Sequence, residues 1–192
     1  YQLGLMARRE ELLNDLSAEL PSNNFVQVTD VTQAELAQQQ LQDLITRMGD
    51  VELIVLSSGV GLFEKKLDWT VEREMIDVNV RGFAALAIVS YEHFVQRGGG
   101  HLAGISSVAS HLFGGLTLTY HATKAFVSNY LAGMRSRAAR TKLPITIITI
   151  EPGFVKTPMV QGNPVWMASV EKGVEQMVKG LIKKKNHLYI TK

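Results

Sequence analysis

The chain has 192 residues, a formal net charge of +2, 46% hydrophobic and 20% charged residues, and no cysteine. That length suits one domain, and so small a net charge argues against nucleic acid or a strongly acidic partner. Without cysteine there is no disulfide, thiol nucleophile or cysteine-ligated metal, and no apolar run reaches the roughly 18 residues that a membrane span needs. The first residues do not read as a secretory signal, so the cytoplasm is the expected location. No internal repeat or low-complexity segment stands out.

Apolar runs alternate with helical patterns, which predicts a parallel sheet covered by helices. Tyr1 to Met6 reads as a strand, and Arg9 to Leu20 as a helix with Leu12, Leu13, Leu16 and Leu20 on one stripe. Phe25 to Val28 is a short strand. Thr32-x-x-Glu35 predicts a capping box for a helix reaching Met48. Leu53 to Leu56, a continuous apolar run, predicts a strand buried on both faces. Thr70 to Gln96 reads as helix, jointed near Asn79 and Gly82, and Gly98 to Gly100 as a turn. Leu102 to Ile105 is a strand, His121 to Arg140 a long helix, and Ile145 to Ile150 a strand broken at Pro152. Ser169 can cap a helix running to Lys184, and Leu188 to Thr191 is a last strand. Lys183-Lys184-Lys185 reads as a solvated helix end.

The stretch from Ile105 to Lys124, ISSVASHLFGGLTLTYHATK, carries the most chemistry. Tyr120 and Lys124, at i and i+4 of a helix, present a phenol and an ammonium on one face. Ser107 lies thirteen residues before the tyrosine, at a strand end, where open α/β sheets place their sites. A cation ~4 Å from the phenol, at an effective dielectric of ~20, favours the phenolate by roughly 4 kcal/mol. That is enough to bring a pKa of about 10 to ~7 before burial opposes it. Such a tyrosine can exchange a proton with a carbonyl or alcohol oxygen, and a serine hydroxyl can hydrogen-bond the same oxygen. By itself a Tyr-x-x-x-Lys pair is better described as a surface helix contact.

The company of the pair separates the two readings. Ser107, Tyr120 and Lys124 at this spacing resemble the short-chain dehydrogenase/reductase family, classical type. Asp30-Val31 stands where the family has its adenine-contacting Asp, and Leu56-Ser57-Ser58-Gly59 where it has Asn-Asn-Ala-Gly. Asp77-Val78-Asn79-Val80-Arg81-Gly82 resembles the segment with the family's fourth catalytic residue, an Asn. Pro152-Gly153-Phe154-Val155-Lys156-Thr157 resembles the segment that lines the nicotinamide. The resemblance covers nearly the whole chain and implies a Rossmann-like, doubly wound α/β/α fold in one domain, residues 1–192.

It also implies roles. Tyr120 would be the general acid/base, with Lys124 lowering its pKa and bonding the nicotinamide ribose. Ser107 would polarise the substrate oxygen, Ser106 being its nearest rival for that role. Asn79 would hold a proton-relaying water, or its amide would satisfy the backbone at a helix joint, or both. Val155 would meet the carboxamide through its backbone, Thr157 would bind the cofactor too, and Asp30 and Val31 would flank the adenine. Gly59 would allow close approach of the backbone to the cofactor, although the family's two asparagines are replaced by serines here. His121 reads as incidental, and no metal ligands are expected.

Family members place a first strand, a Gly-x-x-x-Gly-x-Gly loop and a first helix before the strand that opens this chain, and no such loop is present. In the strand order 3-2-1-4-5-6 the absent strand lies in mid-sheet, and two apolar edges would face a gap. Tyr1 is therefore expected to lie partway along a longer chain. The connection after Pro158 is short for the family's substrate loop, and the chain ends soon after its last strand.

Cofactor choice follows from the end of the first strand, Leu5-Met6-Ala7-Arg8-Arg9. NAD-preferring relatives carry an acid there for the ribose 2′-hydroxyl. Arginine suits a 2′-phosphate, so NADP is expected over NAD, with Arg8 as the contact. The alternative is that both arginines are solvated at a helix start. The expected activity is NADPH-dependent reduction of a carbonyl, with a related isomerase or lyase, or a non-catalytic cofactor-binding protein, as alternatives. Substrate contacts are expected within Ser110 to Thr119 and Met159 to Met167, from Leu112, Phe113, Leu116, Val160, Val165, Trp166 and Met167, several of which core packing would explain equally. The resemblance further implies a homodimer or homotetramer joined through helices near residues 83–97 and 121–140, with Phe126, Tyr130 and Leu131 as an apolar outer stripe.

Overall fold

The structure is a computed structural model that describes residues 1–21, 23–62, 66–160 and 166–191. Its strands are β1 Gly4–Ala7, β2 Phe25–Val28, β3 Leu53–Leu56, β4 Gly100–Ile105, β5 Ile145–Pro152 and β6 His187–Ile190. Its helices are α1 Glu10–Glu19, α2 Ala34–Met48, α3 Trp69–Ile76, α4 Phe83–Arg97, α5 Leu118–Thr141 and α6 Val170–Ile182. Every strand pairing is parallel. β1 and β2 form one pair, and β3-β4-β5-β6 form a second sheet in that order. Strands joined by helical crossovers in this way make the expected Rossmann-like architecture. Among the described residues no helix is long and apolar enough to cross a membrane.

Two cores sit on the two faces of the larger sheet. On one face Ile54, Leu56, Leu102 and Ile147 pack with Phe94 of α4, Leu131 of α5 and Leu41 of α2. On the other, Ala103, Ile148 and Ile150 join Leu188 and Ile190, with Met177 and Leu181 of α6 laid against them. β3 departs from the expected two-sided burial: Leu53 and Val55 are 42% and 39% exposed. Alternate side chains point to opposite faces, and only the face carrying Ile54 and Leu56 is covered by α2 and α4. β1 and β3 are not paired with each other, so the mid-sheet discontinuity expected from the sequence is present in the strand order.

Three local expectations are corrected. The Thr32–Glu35 capping box does not form. Thr32 Oγ1 donates to Asp30 Oδ1 at 2.8 Å, and Gln33 caps α2 without a side-chain bond. A carboxylate two residues away is a nearer acceptor for Thr32, and closes an Asx turn. β5 runs past Ile150 and ends at Pro152, because its C-terminal residues still pair with β6. Leu131 is fully buried in the core rather than on an outer stripe. Phe126 and Tyr130 stack on each other at 5.3 Å and pack against the same core. Ser169, by contrast, caps α6 by accepting from the Lys172 N–H, as expected.

The long helical stretch is jointed where Asn79 and Gly82 stand. α3 and α4 are separated by a π-helical segment, Asp77–Gly82. Such segments are uncommon and occur frequently at functional sites.

Candidate active site

The site lies at the carboxyl ends of β3, β4 and β5. β4 ends at Ile105, and Ser107 caps a single 3-10 turn, Val108–His111. Ser107 Oγ accepts from the Ala109 N–H at 3.1 Å and lies 3.4 Å from Pro152 O, toward which it donates. It also lies close enough to the Tyr120 phenol to pull its pKa down. Ser106 serves elsewhere: its Oγ donates to Lys124 O at 2.8 Å, a buried contact that fixes α5 to the end of β4. The geometry thus selects Ser107 over its neighbour.

Tyr120 and Lys124 occupy the first two turns of α5. Lys124 Nζ donates to Ile105 O at 3.0 Å and stands 5.8 Å from the centre of the Tyr120 ring. Burial opposes ionisation of both groups. It raises the Tyr120 phenol above its ordinary value, with Ser107 pulling the other way. It lowers Lys124 from 10.5 to about 8. This corrects the expected phenol near neutrality. The ammonium is directed at a backbone carbonyl, and the loss of water around a tyrosinate outweighs the attraction of the cation.

Asn79 comes from the π-helical segment and is buried. Its Nδ2 donates to Val60 O at 2.8 Å and to Thr123 Oγ1 at 3.1 Å, while Val60 N–H donates to its Oδ1 at 2.8 Å. The amide therefore satisfies the backbone of the loop after β3, and holds that loop against α5. Thr123 completes the link by donating to Tyr120 O at 2.8 Å. Sequence reasoning missed Thr123. Its signal was a hydroxyl three residues beyond the tyrosine, on the turn that faces Asn79.

The loop after β3 passes close beneath the pair. A Cβ on Gly59 would lie 3.1 Å from Lys124 Nζ and 3.4 Å from Asn79 Oδ1. One on Gly61, a second residue that the motif comparison passed over, would lie 3.2 Å from the Tyr120 ring. These are contacts tighter than side-chain carbons comfortably make, so glycine keeps the floor of the site open.

The other predicted residues line the same edge. Asp30 Oδ1 accepts from the Thr32 N–H at 3.0 Å, and that bond, the Thr32 hydroxyl and the nearby Arg8 charge hold its carboxyl below the usual range against the effect of burial. Arg8 is exposed just past β1. Val31 is half-buried against the core and close-packed on Gly82. Val155 bridges to Ala168, and the two bonds are made by Phe154 O and Lys156 N–H. The backbone groups of Val155 itself therefore face the opposite side. Thr157 is exposed, and its carbonyl accepts from the Val160 N–H at 3.1 Å.

Among the expected substrate contacts, Leu112, Phe113, Leu116 and Trp166 are exposed and so are not core. Leu112, Phe113, Leu118, His121 and Ala125 line a cleft of about 350 Å³. His121 is tied to its own helix start, with Nδ1 2.9 Å from Thr117 O. Val160 and Met167 are half-buried, and Val165 lies outside the described residues.

With the geometry assembled, the comparisons with known proteins decide the family. Residues 1–168 match the model of the family described as short chain dehydrogenase. The chain belongs to the short-chain dehydrogenase family. It is 30% identical over 161 residues to an uncharacterized oxidoreductase of Staphylococcus epidermidis, covering 83% of this chain and 69% of that protein. It is 35% identical over 161 residues to one of Myxococcus xanthus, covering 80% of this chain and 62% of that protein. Serine dehydrogenase complexed with NADP+ superposes with a TM-score of 0.87 at 23% identity, over all of this chain and 85% of that one. A short-chain dehydrogenase/reductase of Burkholderia phymatum in complex with NAD superposes with a TM-score of 0.87 at 16% identity, over 98% and 79% of the two chains. At those identities the superpositions speak for the fold. The chain is thus an oxidoreductase of the short-chain dehydrogenase family with a Rossmann-like fold.

Proposed function

We propose that this short-chain dehydrogenase is an NADP(H)-dependent carbonyl reductase in which Tyr120 is the proton donor. The observation that carries the reading is the hydroxyl, phenol and ammonium of Ser107, Tyr120 and Lys124 gathered above the side-chain-free floor of Gly59 and Gly61. Burial keeps the phenol protonated at neutral pH, which is the form that can give a proton to a carbonyl oxygen.

The residues present suit a dinucleotide. The glycine floor admits a ring that a Cβ would exclude, and the Val155 amide groups face away from their bridge and can hold a carboxamide. Arg8 stands past β1 without an acid of its own strand beside it and fits a 2′-phosphate. Asp30 and Val31 flank the adenine side, and Thr157 the nicotinamide side. When bound, the nicotinamide supplies the hydride. Ser107 Oγ turns from Pro152 O to hydrogen-bond the substrate oxygen, Tyr120 gives that oxygen a proton, and Lys124 stabilises the phenolate left behind. Asn79 holds the floor loop in place, and its relaying of protons to Lys124 through a water is part of the proposal.

Family structures with NADP and with NAD both superpose on this chain, so the cofactor preference rests on Arg8. The substrate is a small molecule that meets the exposed apolar residues of the cleft. A homodimer or homotetramer through α4 and α5, and a cytoplasmic location, complete the proposal. Fluorescence titration of the intact gene product with NADPH and NADH tests it. Tight NADPH and weak NADH binding, followed by reduction in a carbonyl screen, supports the reading. Equal affinity removes the Arg8 argument, and no binding of either removes the redox reading.

A further inference from the structure

The other concentration of chemistry lies near the carboxyl end of β5, around Glu151. This carboxylate is fully buried, and among the described residues no lysine or arginine pairs with it. Its two oxygens are used differently. Oε1 accepts from Ser128 Oγ at 2.6 Å and from Ser110 Oγ at 3.1 Å. Oε2 faces two imidazoles, with Nε2 of His111 and of His187 each 2.8 Å away. All three donor atoms lie within 4.8 Å of one another.

From this arrangement we propose that His111, Glu151 and His187 form a binding site for one divalent transition-metal ion. Three observations carry it. First, the buried carboxylate is compensated by two hydroxyls and two imidazoles alone, with no lysine or arginine among the described residues, so a dication could take the place of the imidazole protons as its countercharge. Second, two imidazole nitrogens and one carboxylate oxygen are the three-ligand set of open zinc sites, and suit zinc, cobalt or nickel rather than calcium or magnesium. Third, the carboxylate is already held from behind by two hydroxyls, as ligating carboxylates are. Metal–ligand bonds of about 2.0–2.1 Å in a tetrahedron put donors ~3.4 Å apart. Each imidazole nitrogen must therefore move about half an ångström away from Oε2, and the two nitrogens, now within 4.8 Å of each other, must close to about that spacing. Both can do so, because His111 is 55% and His187 38% exposed, and the same exposure leaves water the remaining coordination positions. Tyr189 stacks on His187 at 4.7 Å and limits its rotation. Arg135 donates to Asn186 O at 2.8 Å and pins the start of β6.

The ligands come from three elements: the 3-10 turn that follows Ser107, the end of β5 and the start of β6. A bound ion would staple the Ser107 turn to the sheet edge beside the redox site, to which Glu151 is linked through Ser128, Ser106 and Lys124 O.

The test uses the full-length protein, stripped with a chelator and dialysed, and titrated with Zn2+ by calorimetry and with Co2+ by visible absorption. The expected result is one ion per chain, cobalt bands of a site with imidazole ligands, and an increase of melting temperature with Zn2+. His111→Ala and His187→Ala, both at half-exposed positions, should each weaken Zn2+ at least tenfold while keeping the far-ultraviolet dichroism of the parent. Glu151→Gln, which preserves shape, should do the same. Absence of saturable 1:1 binding, or Zn2+ affinity unchanged in both histidine variants, overturns the proposal. So does a Zn2+-induced melting shift that persists in the double histidine variant.

Discussion

Lys124 is predicted to be a residue that the ligand-free protein would be more stable without. Its Nζ is buried at the site, and burial lowers it from 10.5 to about 8. That difference corresponds to roughly 3 kcal/mol for keeping the ammonium inside at neutral pH. Its hydrogen bond to Ile105 O returns about 1 kcal/mol. Lys124→Met keeps the volume and removes the charge, so it should stabilise the ligand-free protein by about 2 kcal/mol at pH 7. For a domain of this size that is roughly 4–8 °C in melting temperature. The sign with pH follows from the depressed value of a base. Below about pH 8 the lysine is protonated folded and unfolded, and the cost is fully present. Between about 8 and 10.5 the unfolded chain binds the proton more tightly, so the parent gains stability as pH rises and the advantage of the variant shrinks. Urea unfolding of both proteins at pH 7 and pH 10 measures the two differences. A variant no more stable than the parent at pH 7, or a difference that does not change with pH, refutes the reasoning. The same variant should lose nearly all reductase activity.

Tyr120→Phe keeps the ring against Gly61 and removes the proton donor. Turnover should fall by about 10²–10⁴-fold with NADPH affinity retained in the fluorescence titration. Because burial raises the phenol, carbonyl reduction should be pH-independent through neutrality and decline only in alkali, a profile that Tyr120→Phe should abolish. Asn79→Ala removes three hydrogen bonds and leaves Val60 N–H and O unpaired. Unfolding measurements should show a loss of about 2–4 kcal/mol. Arg8→Glu should weaken NADPH by about tenfold or more and leave NADH within a few-fold, because only the 2′-phosphate meets the new carboxylate.

The order of the motifs was readable because each falls at a strand end or on one helix face, where local spacing fixes direction. Ser107, Tyr120, Lys124, Asn79 and Gly59 come together for that reason, and the helix joint at Asn79 and Gly82 was legible from the same segment. What was not readable depends on neighbours distant in the chain. The exposure of Leu53 and Val55 follows from which helices cover β3, and the burial of Leu131 from the way α5 is rolled onto the sheet. By spacing the Thr32 hydroxyl could accept from the Glu35 N–H or donate to Asp30, and only the turn geometry selects the second. The Glu151 cluster was invisible because its histidines lie 40 and 36 residues away along the chain.

The opposite shifts of Tyr120 and Lys124 belong to one electrostatic state. In the ligand-free site both charged forms are penalised by burial, and at neutral pH a neutral phenol stands beside a lysine that is still mainly protonated. Two neighbouring groups that each lack water stabilise each other's charge once one of them ionises, because attraction at short range in a poorly solvated site exceeds that in water. On the proposed reading, substrate takes the phenol's proton, and the tyrosinate that remains raises the lysine's affinity for its own. The negative charge on Tyr120 then appears with proton transfer rather than before it, beside an ammonium already in place. A site in which Lys124 held Tyr120 ionised at rest would have no proton to give a carbonyl, and would suit alcohol oxidation instead. On the proposed reading, the resting phenol, kept protonated by burial against the opposing pull of Ser107, is the form that serves carbonyl reduction.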